Sequence, residues 1–561
     1  MLDFFKKNKK KETVVKEPKT YSPFAAYVFT TNHLIGTGII ALPYTVFAGG
    51  ALLSVIFLLL VTVISIITML YLVETESRTQ ALMNVLGANE GHFVQGETVE
   101  LDRLLKTNSY DIKKVRNQLL KIQDNQDEPL LTQISNDSED SNEDSEVHET
   151  KPLLNEKDDV PKKNVSKNDV QDMIKNPQFD ITRKYEIIDM CKMFLGKKGK
   201  VLYFIMLTLF LFGTAWSYGA VFGSSIVTLF PITSITKGDH CDIDGNFSHN
   251  CQNNYLLYIF LFSLVVVPIS CLDLTEQRVI QIFLCAFRYL ALFSIIFTII
   301  VSMAKKDNPY VDHKASIAPG SGLLKWGGVD LIFTTGIFTQ CSHHSITIIA
   351  EPVDNKRKIR KVITAALTST FFFYAFVGVL CSLFFGHHTN TVITLNWMNY
   401  TGEQKNARAW ASIIKYIVIM FPIFDLISIF PLKVVTLGTG MQTFFYPETI
   451  GKTDRRSKRI KIAFRLIWSI TPLCGAMIIK ELPVIIFFVG ICGCFIAFII
   501  PAWVQLKSKS ISNIVFNKNK TPYSDYSNKP VIIWITMIFG IFSLFCSMVC
   551  SIINLVRKYK K

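Results

Sequence analysis

The sequence predicts an all-α polytopic membrane protein, and three observations carry that prediction. Half of the 561 residues are hydrophobic, 43 of them Phe, and mean hydropathy is +0.31, which suits a multi-span protein better than several soluble domains. A span needs roughly 20 mostly apolar residues, and the chain holds about eleven such runs. Two of the runs, the first and the sixth, are interrupted midway by glycine, proline or polar residues.

Taken in order, the runs are Phe24–Val46, Ala51–Val73, Val201–Leu229, Tyr255–Cys271, Val279–Met303 and Val329–Ala350. Then follow Val362–Phe385, Trp410–Leu432, Ile462–Ile479, Val484–Trp503 and Val531–Val556. The first run is too polar for a signal peptide and lacks a small-residue cleavage site, so it reads as a retained span. The expected order is a basic cytosolic tail (1–22), spans 1–2 (23–73), a cytosolic insert (74–198), spans 3–11 (199–556) and a basic tail (557–561).

The net charge of +15 does not call for nucleic acid, because the Lys and Arg residues sit in short loops and tails beside spans. The tail "KKNKKKETVVKEPK" places the N-terminus in the cytosol. Counting forward, "NKRKIRK" (Asn355–Lys361) and "RRSKRIK" (Arg455–Lys461) fall on the same side. The sequons at Asn246 and Asn399 then fall on the lumenal side, where glycosylation is expected, while Asn136, Asn164 and Asn519 stay bare in the cytosol. The final "RKYKK" opposes this trend. Of 12 Cys, only Cys241 and Cys251 share a lumenal loop, and a disulfide is expected between them.

The insert is acidic, polar and almost free of aromatics, a disordered composition, with some helical periodicity over Leu101–Ile122. Its "ETKPLL" (Glu149, Leu153, Leu154) resembles an acidic dileucine sorting signal, in which paired leucines fill an apolar pocket of a clathrin adaptor. That favours an endosomal or lysosomal membrane, with the plasma membrane as the alternative. "YEII" (Tyr185–Ile188) has an adaptor reading too, but suits a juxtamembrane amphipathic helix better.

The first run contains "NHLIGTGIIALPYTVFAGG". Gly costs about 1 kcal/mol and Pro about 3 kcal/mol in a helix interior relative to Ala. Irregular backbone at membrane depth survives only inside protein or beside a watery cavity. Gly36 and Gly38 let a backbone approach closely, Thr37 adds a hydroxyl, and the amides of a restarting helix suit a carboxylate. The alternative is a small-residue packing face. The sixth run, "TTGIFTQCSHHSITIIAEP", is broken by Gly336, Gln340, Ser342, His343 and His344. Paired interruptions in corresponding spans of two repeats point to a transporter site.

"HLIGTGIIALPYTVFAGG", "FDITRKYEIIDMCKMFLGKKG", "FTQCSHHSITIIAEPV" and "FPIFDLISIFPLKVVTL" together resemble the transmembrane protein 104 family. That family lies in the amino acid/auxin permease branch of the amino acid–polyamine–organocation superfamily. The resemblance covers nearly all the membrane part and omits the acidic insert. It implies an eleven-span, five-plus-five inverted-repeat fold with discontinuous helices 1 and 6 and one extra helix, and amino-acid carriage.

The expected substrate site joins Asn32, Gly36, Thr37 and Gly38 to Thr335, Gly336, Phe338, Gln340 and Cys341. His343 and Asp425 are the expected ion-coupling residues, and the resemblance adds Ser428 as a ligand of the fold's cation site. Hydrogen bonding to carbonyls competes for His343, and a salt bridge with Lys415 or Arg288 competes for Asp425. Lys433 and Arg465 are expected to snorkel to the cytosolic interface.

The expected function is secondary active transport of amino acids or related zwitterions, coupled to a proton or sodium and using no other cofactor. A sensor with the same pocket is the rival. An enzyme is not expected: no nucleophile motif or third metal ligand accompanies His343 and His344. The expected partners are the cargo, the lipid bilayer and a clathrin adaptor.

Overall fold

The computed structural model describes residues 22–90, 172–182, 185–236, 248–272, 278–305, 322–350, 353–402, 408–446, 449 and 454–559. Cys241, Asn246, the acidic tract with Glu149, Leu153 and Leu154, and the basic N-terminal tail lie outside the described residues. Among those described there is no β-strand, and nine helices are long and apolar enough to cross a membrane.

The first apolar run forms two short helices. Helix α1 (Pro23–Leu34) starts at Ser22, whose hydroxyl accepts from the Ala25 amide at 3.3 Å, with Pro23 in the first turn. It stops where Ile35 turns extended (φ −76°, ψ 100°), and α2 (Thr37–Gly49) begins after Gly36. Helix α2 ends at Gly50, where φ is +88° and a Cβ would lie 2.7 Å from the carbonyl oxygens of Gly322 and Leu323. Only glycine fits that turn.

Helix α3 (Ala51–Glu90) follows, then α4 (Ile187–Leu229), α5 (His249–Cys271) and α6 (Arg278–Lys305). The sixth run is again split, into α7 (Val329–Gln340) and α8 (Ile346–Ala350), with a 3-10 turn over His343–Ser345 between them. The remaining elements are α9 (Ile359–Phe385), α10 (Ala409–Phe445), α11 (Arg455–Ile478), α12 (Leu482–Cys494), α13 (Ile500–Phe516) and α14 (Pro530–Tyr559). A π-helical turn over Phe495–Ile499 joins α12 to α13.

The broken segments sit inside the bundle. Helix α7 packs on α2, α3, α12 and α14, while α1 and α2 pack on α9. Small residues permit the close approach. A Cβ on Gly490 would fall 2.6 Å from Thr334 Cβ, and one on Gly38 would fall 2.5 Å from Thr339 Cγ2. The two interrupted segments therefore touch each other directly.

The boundaries of the insert differ from the expectation of 74–198. Helix α3 runs on to Glu90, and α4 starts at Ile187, bends at Gly196 (φ +74°) and continues as a span. The charged stretch Glu74–Gln80 looks like an exit from the membrane, yet every one of its residues is buried. Glu74 and Arg78 pair at 2.8 Å one turn apart, and Gln505 on α13 bonds both of them. The charges satisfy each other, so the helix has no reason to end there. Tyr185–Ile188 is part of this packing: Ile187 and Ile188 are buried, and the Tyr185 amide donates to Glu76.

Candidate functional site

The first break leaves the last carbonyls of α1 and the first amides of α2 without helical partners. Tyr374 on α9 donates its hydroxyl to the Leu34 carbonyl at 2.6 Å, closing one of the former. Gly36 gives α2 no side-chain cap; the Ile39 amide turns back to the Gly36 carbonyl at 3.3 Å, which leaves the Thr37 and Gly38 amides outside the helix's own ladder. A Cβ on Gly36 would meet only the Tyr218 hydroxyl, at 3.5 Å. There is room beside Gly36 for at least one added carbon without a clash. Gly38 differs, because its face is filled by Thr339. Asn32 lies in the last turn of α1 and Thr37 opens α2. His33 is exposed, with Lys433 and Arg288 in electrostatic range.

At the second break, Cys341 and Ser342 leave the helix, and the Cys341 amide reaches back to the Phe338 carbonyl at 3.5 Å. Polar groups crowd this point. Both amide atoms of Gln340, the Ser342 hydroxyl and the Nδ1 atoms of His343 and His344 are buried without a hydrogen-bond partner among the described residues. An unpartnered polar group in such surroundings costs several kcal/mol by order of magnitude, so five such atoms together imply something polar that completes them. His343 is tied down on its other side, where Nε2 lies 2.8 Å from the Thr68 hydroxyl of α3. Phe338 is buried, and Phe210 spans it and His344 with ring centroids 6.4 and 5.8 Å away.

Two of the expected site residues serve helix packing. Thr335 bonds Thr45 at 3.1 Å, and a Cβ on Gly336 would press on Phe57 at 3.3 Å. Asp425 is paired with Arg288, which donates through Nε at 2.8 Å and Nη2 at 2.6 Å, both to Oδ1. Of the two salt bridges weighed for Asp425, the one with Arg288 is present. Ser428 lies one turn on, also buried.

Three residues escaped the sequence reading. Tyr374 and Tyr218 sit in apolar runs where nothing distinguishes them from lipid-facing aromatics. Lys433 was placed at the end of the eighth run, but α10 continues to Phe445 and the lysine is buried. Its electrostatic neighbours are His33, Cys341 and His344, at the two breaks. The signal available was a helix-forming apolar sequence continuing past the charge. Lys433 does not snorkel. Arg465 is also buried and donates at 3.1 Å to the Cys271 and Leu272 carbonyls. A separate cavity of about 520 Å³ is lined by Tyr44, His387, His388, Asn390 and Asn399, where Asn399 is exposed.

The model of the family described as transmembrane amino acid transporter protein matches residues 19–85 and 179–553. The chain belongs to that family. The gap between the two matched stretches is the acidic insert. The chain is also similar to a transmembrane protein 104 homolog of Drosophila melanogaster, 21% identical over 95% of this chain and 97% of the relative. A Dictyostelium discoideum homolog is 22% identical over 95% and 96%, and transmembrane protein 104 of Homo sapiens is 22% identical over 90% and 92%. The chain is thus a member of the transmembrane amino acid transporter family that is similar to these relatives over 90–95% of its length. Family members are transporters, not enzymes.

Proposed function

We propose that this protein is a secondary active carrier of amino acids or related small zwitterions, working by alternating access. The observation that carries the proposal is the pair of unwound segments in direct contact, with the unpartnered polar atoms of Gln340, Ser342, His343 and His344 beside them. The Thr37 and Gly38 amides at the uncapped start of α2 suit a carboxylate, and the unclashed space beside Gly36 is where it would approach. Gln340 and Cys341 follow from the second break, with Phe338 as an apolar wall. Counting each broken segment as one span adds two to the nine long helices, which supports the eleven-span, inverted-repeat arrangement.

Coupling to a proton or sodium gradient would use His343, Asp425 or Ser428. His343 is the proton candidate, since an unperturbed imidazole titrates near 6.5. Uptake of labelled amino acids into proteoliposomes, at graded pH and in sodium or choline buffer, tests this function. Accumulation above equilibrium supports it, and filters at background count against it.

A sensor remains the second reading because the exit segment of the insert is bolted to the bundle. Ser77 and Lys356 donate to the Phe179 and Ile181 carbonyls, giving a physical link from α3 to the insert. A sensor would bind amino acids without accumulating them.

The remaining features belong to the same proposal. With a cytosolic N-terminus, Asn399 and Asn246 are lumenal glycosylation sites. Cys251 is buried and absent from the free thiols, which supports a disulfide with Cys241. The dileucine pair directs the protein through a clathrin adaptor to endosomal or lysosomal membranes. Leu153→Ala with Leu154→Ala should shift it to the cell surface, and unchanged vesicular staining would discard that signal.

A further inference from the structure

Among the described residues, the buried arginines are matched. Arg78 has Glu74, Arg288 has Asp425, and Arg465 has two main-chain carbonyls. Lys433, only 8% exposed, has neither an ion pair nor a hydrogen bond among the described residues. Intramembrane lysines without a paired carboxylate mark pathways for substrates or ions.

Its surroundings say what would match it. The groups in electrostatic range are His33, at the end of α1, and Cys341 and His344, just after α7. None is an acid at neutral pH. The nearby buried acid, Asp425, is already held by Arg288. The uncapped start of α2, which follows His33 by only a few residues, is the positive end of a 13-residue helix. Lys433, beside the residues that flank both breaks, and the start of α2 are both positive, and no free carboxylate lies among these groups in the described residues. A metal cation would meet repulsion there. An anion would meet its complement.

We propose that Lys433 is the fixed cation of the cargo site: its ammonium pairs with the carboxylate of a bound amino acid, and binding needs no sodium. The inference rests on the carrier reading above and names the group that recognises the cargo. Lys433 supplies the charge, and the α2 amides supply directed hydrogen bonds to the same carboxylate. No bond is made or broken.

The test is thermal unfolding of the purified full-length protein. It is run with a pool of the twenty common amino acids and with the matching pool of amino-acid amides, each in sodium chloride and in choline chloride. The wild type should be stabilised by the acids equally in both salts, with at least tenfold weaker response to the amides. Lys433→Met should lose at least tenfold in affinity while melting, without ligand, no lower than the wild type. Lys433→Arg should keep part of the response. Equal response to acids and amides, a requirement for sodium, wild-type affinity in Lys433→Met, or a lower melting point of that variant without ligand would each overturn the proposal. The acid-against-amide comparison needs no variant, so a misfolded Lys433→Met does not protect it. A wild type that responds to no pool overturns the carrier reading, and this inference falls with it.

Discussion

Two clusters of buried polar residues lie in this bundle, and they are built on opposite terms. Around Glu74, each charged residue has a partner: Arg78 bonds Glu74 at 2.8 Å, Gln505 at 2.8 Å and the Asn519 carbonyl at 3.0 Å. Gln505 in turn donates to Glu74 at 2.7 Å and to Asn528 at 3.2 Å. Around the second break, Gln340 has no partner at either end, and neither do Ser342 or the Nδ1 atoms of the two histidines. The first cluster joins α3, α13 and the 517–529 loop, and each of its two charged residues has an opposite charge, although Glu74 Oε1 and Arg78 Nε have no hydrogen-bond partner among the described residues. The second leaves whole side chains unpartnered among the described residues, as the proposed cargo site requires. Burial of polar groups alone says little about function; in the first cluster opposite charges pair with each other, and in the second no charge or amide pairs across the break.

The comparison predicts an order of effects. Arg78→Met should be the most damaging to folding, by about 3–5 kcal/mol, because it strands the Glu74 carboxylate. Pairing it with Glu74→Leu should recover most of the loss in a denaturant titration. A single variant as stable as the wild type would show that Glu74 does not depend on Arg78 for its charge. Next comes Gly38→Ala, expected to cost about 1–3 kcal/mol through overpacking on Thr339. Gly36→Ala, facing open space, should stay within about 0.5 kcal/mol. Equal costs for the two glycines would erase the distinction between the packed and the open side of the first break.

Tyr374→Phe should cost about 1–2 kcal/mol, the penalty for leaving the Leu34 carbonyl unpaired. Gln340→Leu should be the mildest for folding, neutral or stabilising by up to about 1 kcal/mol, since it removes unsatisfied groups at similar volume. The same variant should lose at least tenfold in amino-acid affinity. A Gln340→Leu protein that is destabilised and still binds normally would make Gln340 part of the architecture.

Much of this was legible in the sequence, and the limits have physical reasons. The first break is written in Gly36, Gly38 and Pro43, residues that a continuous helix penalises. The second is written in Gln340, Ser342, His343 and His344, residues that lipid penalises. Both follow from local chemistry. Lys433 and Glu74 were misplaced because a charge near the end of an apolar run looks the same whether it meets water or a neighbouring helix. Only the packing of α3 on α13, and of α10 beside the breaks, decides that. Among the site residues, Gly38, Thr335 and Gly336 carried the right type for close approach. Which of them opens on space and which on a neighbour depends on three-dimensional contacts.

The central claim is that the gap beside Gly36, between two unwound segments, holds the cargo. Its most direct measurement is accumulation of labelled amino acids in proteoliposomes by the wild type and by Gly36→Leu, reconstituted at matched, folded amounts. The account predicts accumulation above equilibrium by the wild type and background uptake by the variant, whose added side chain occupies the gap. Equal accumulation by both proteins would contradict it.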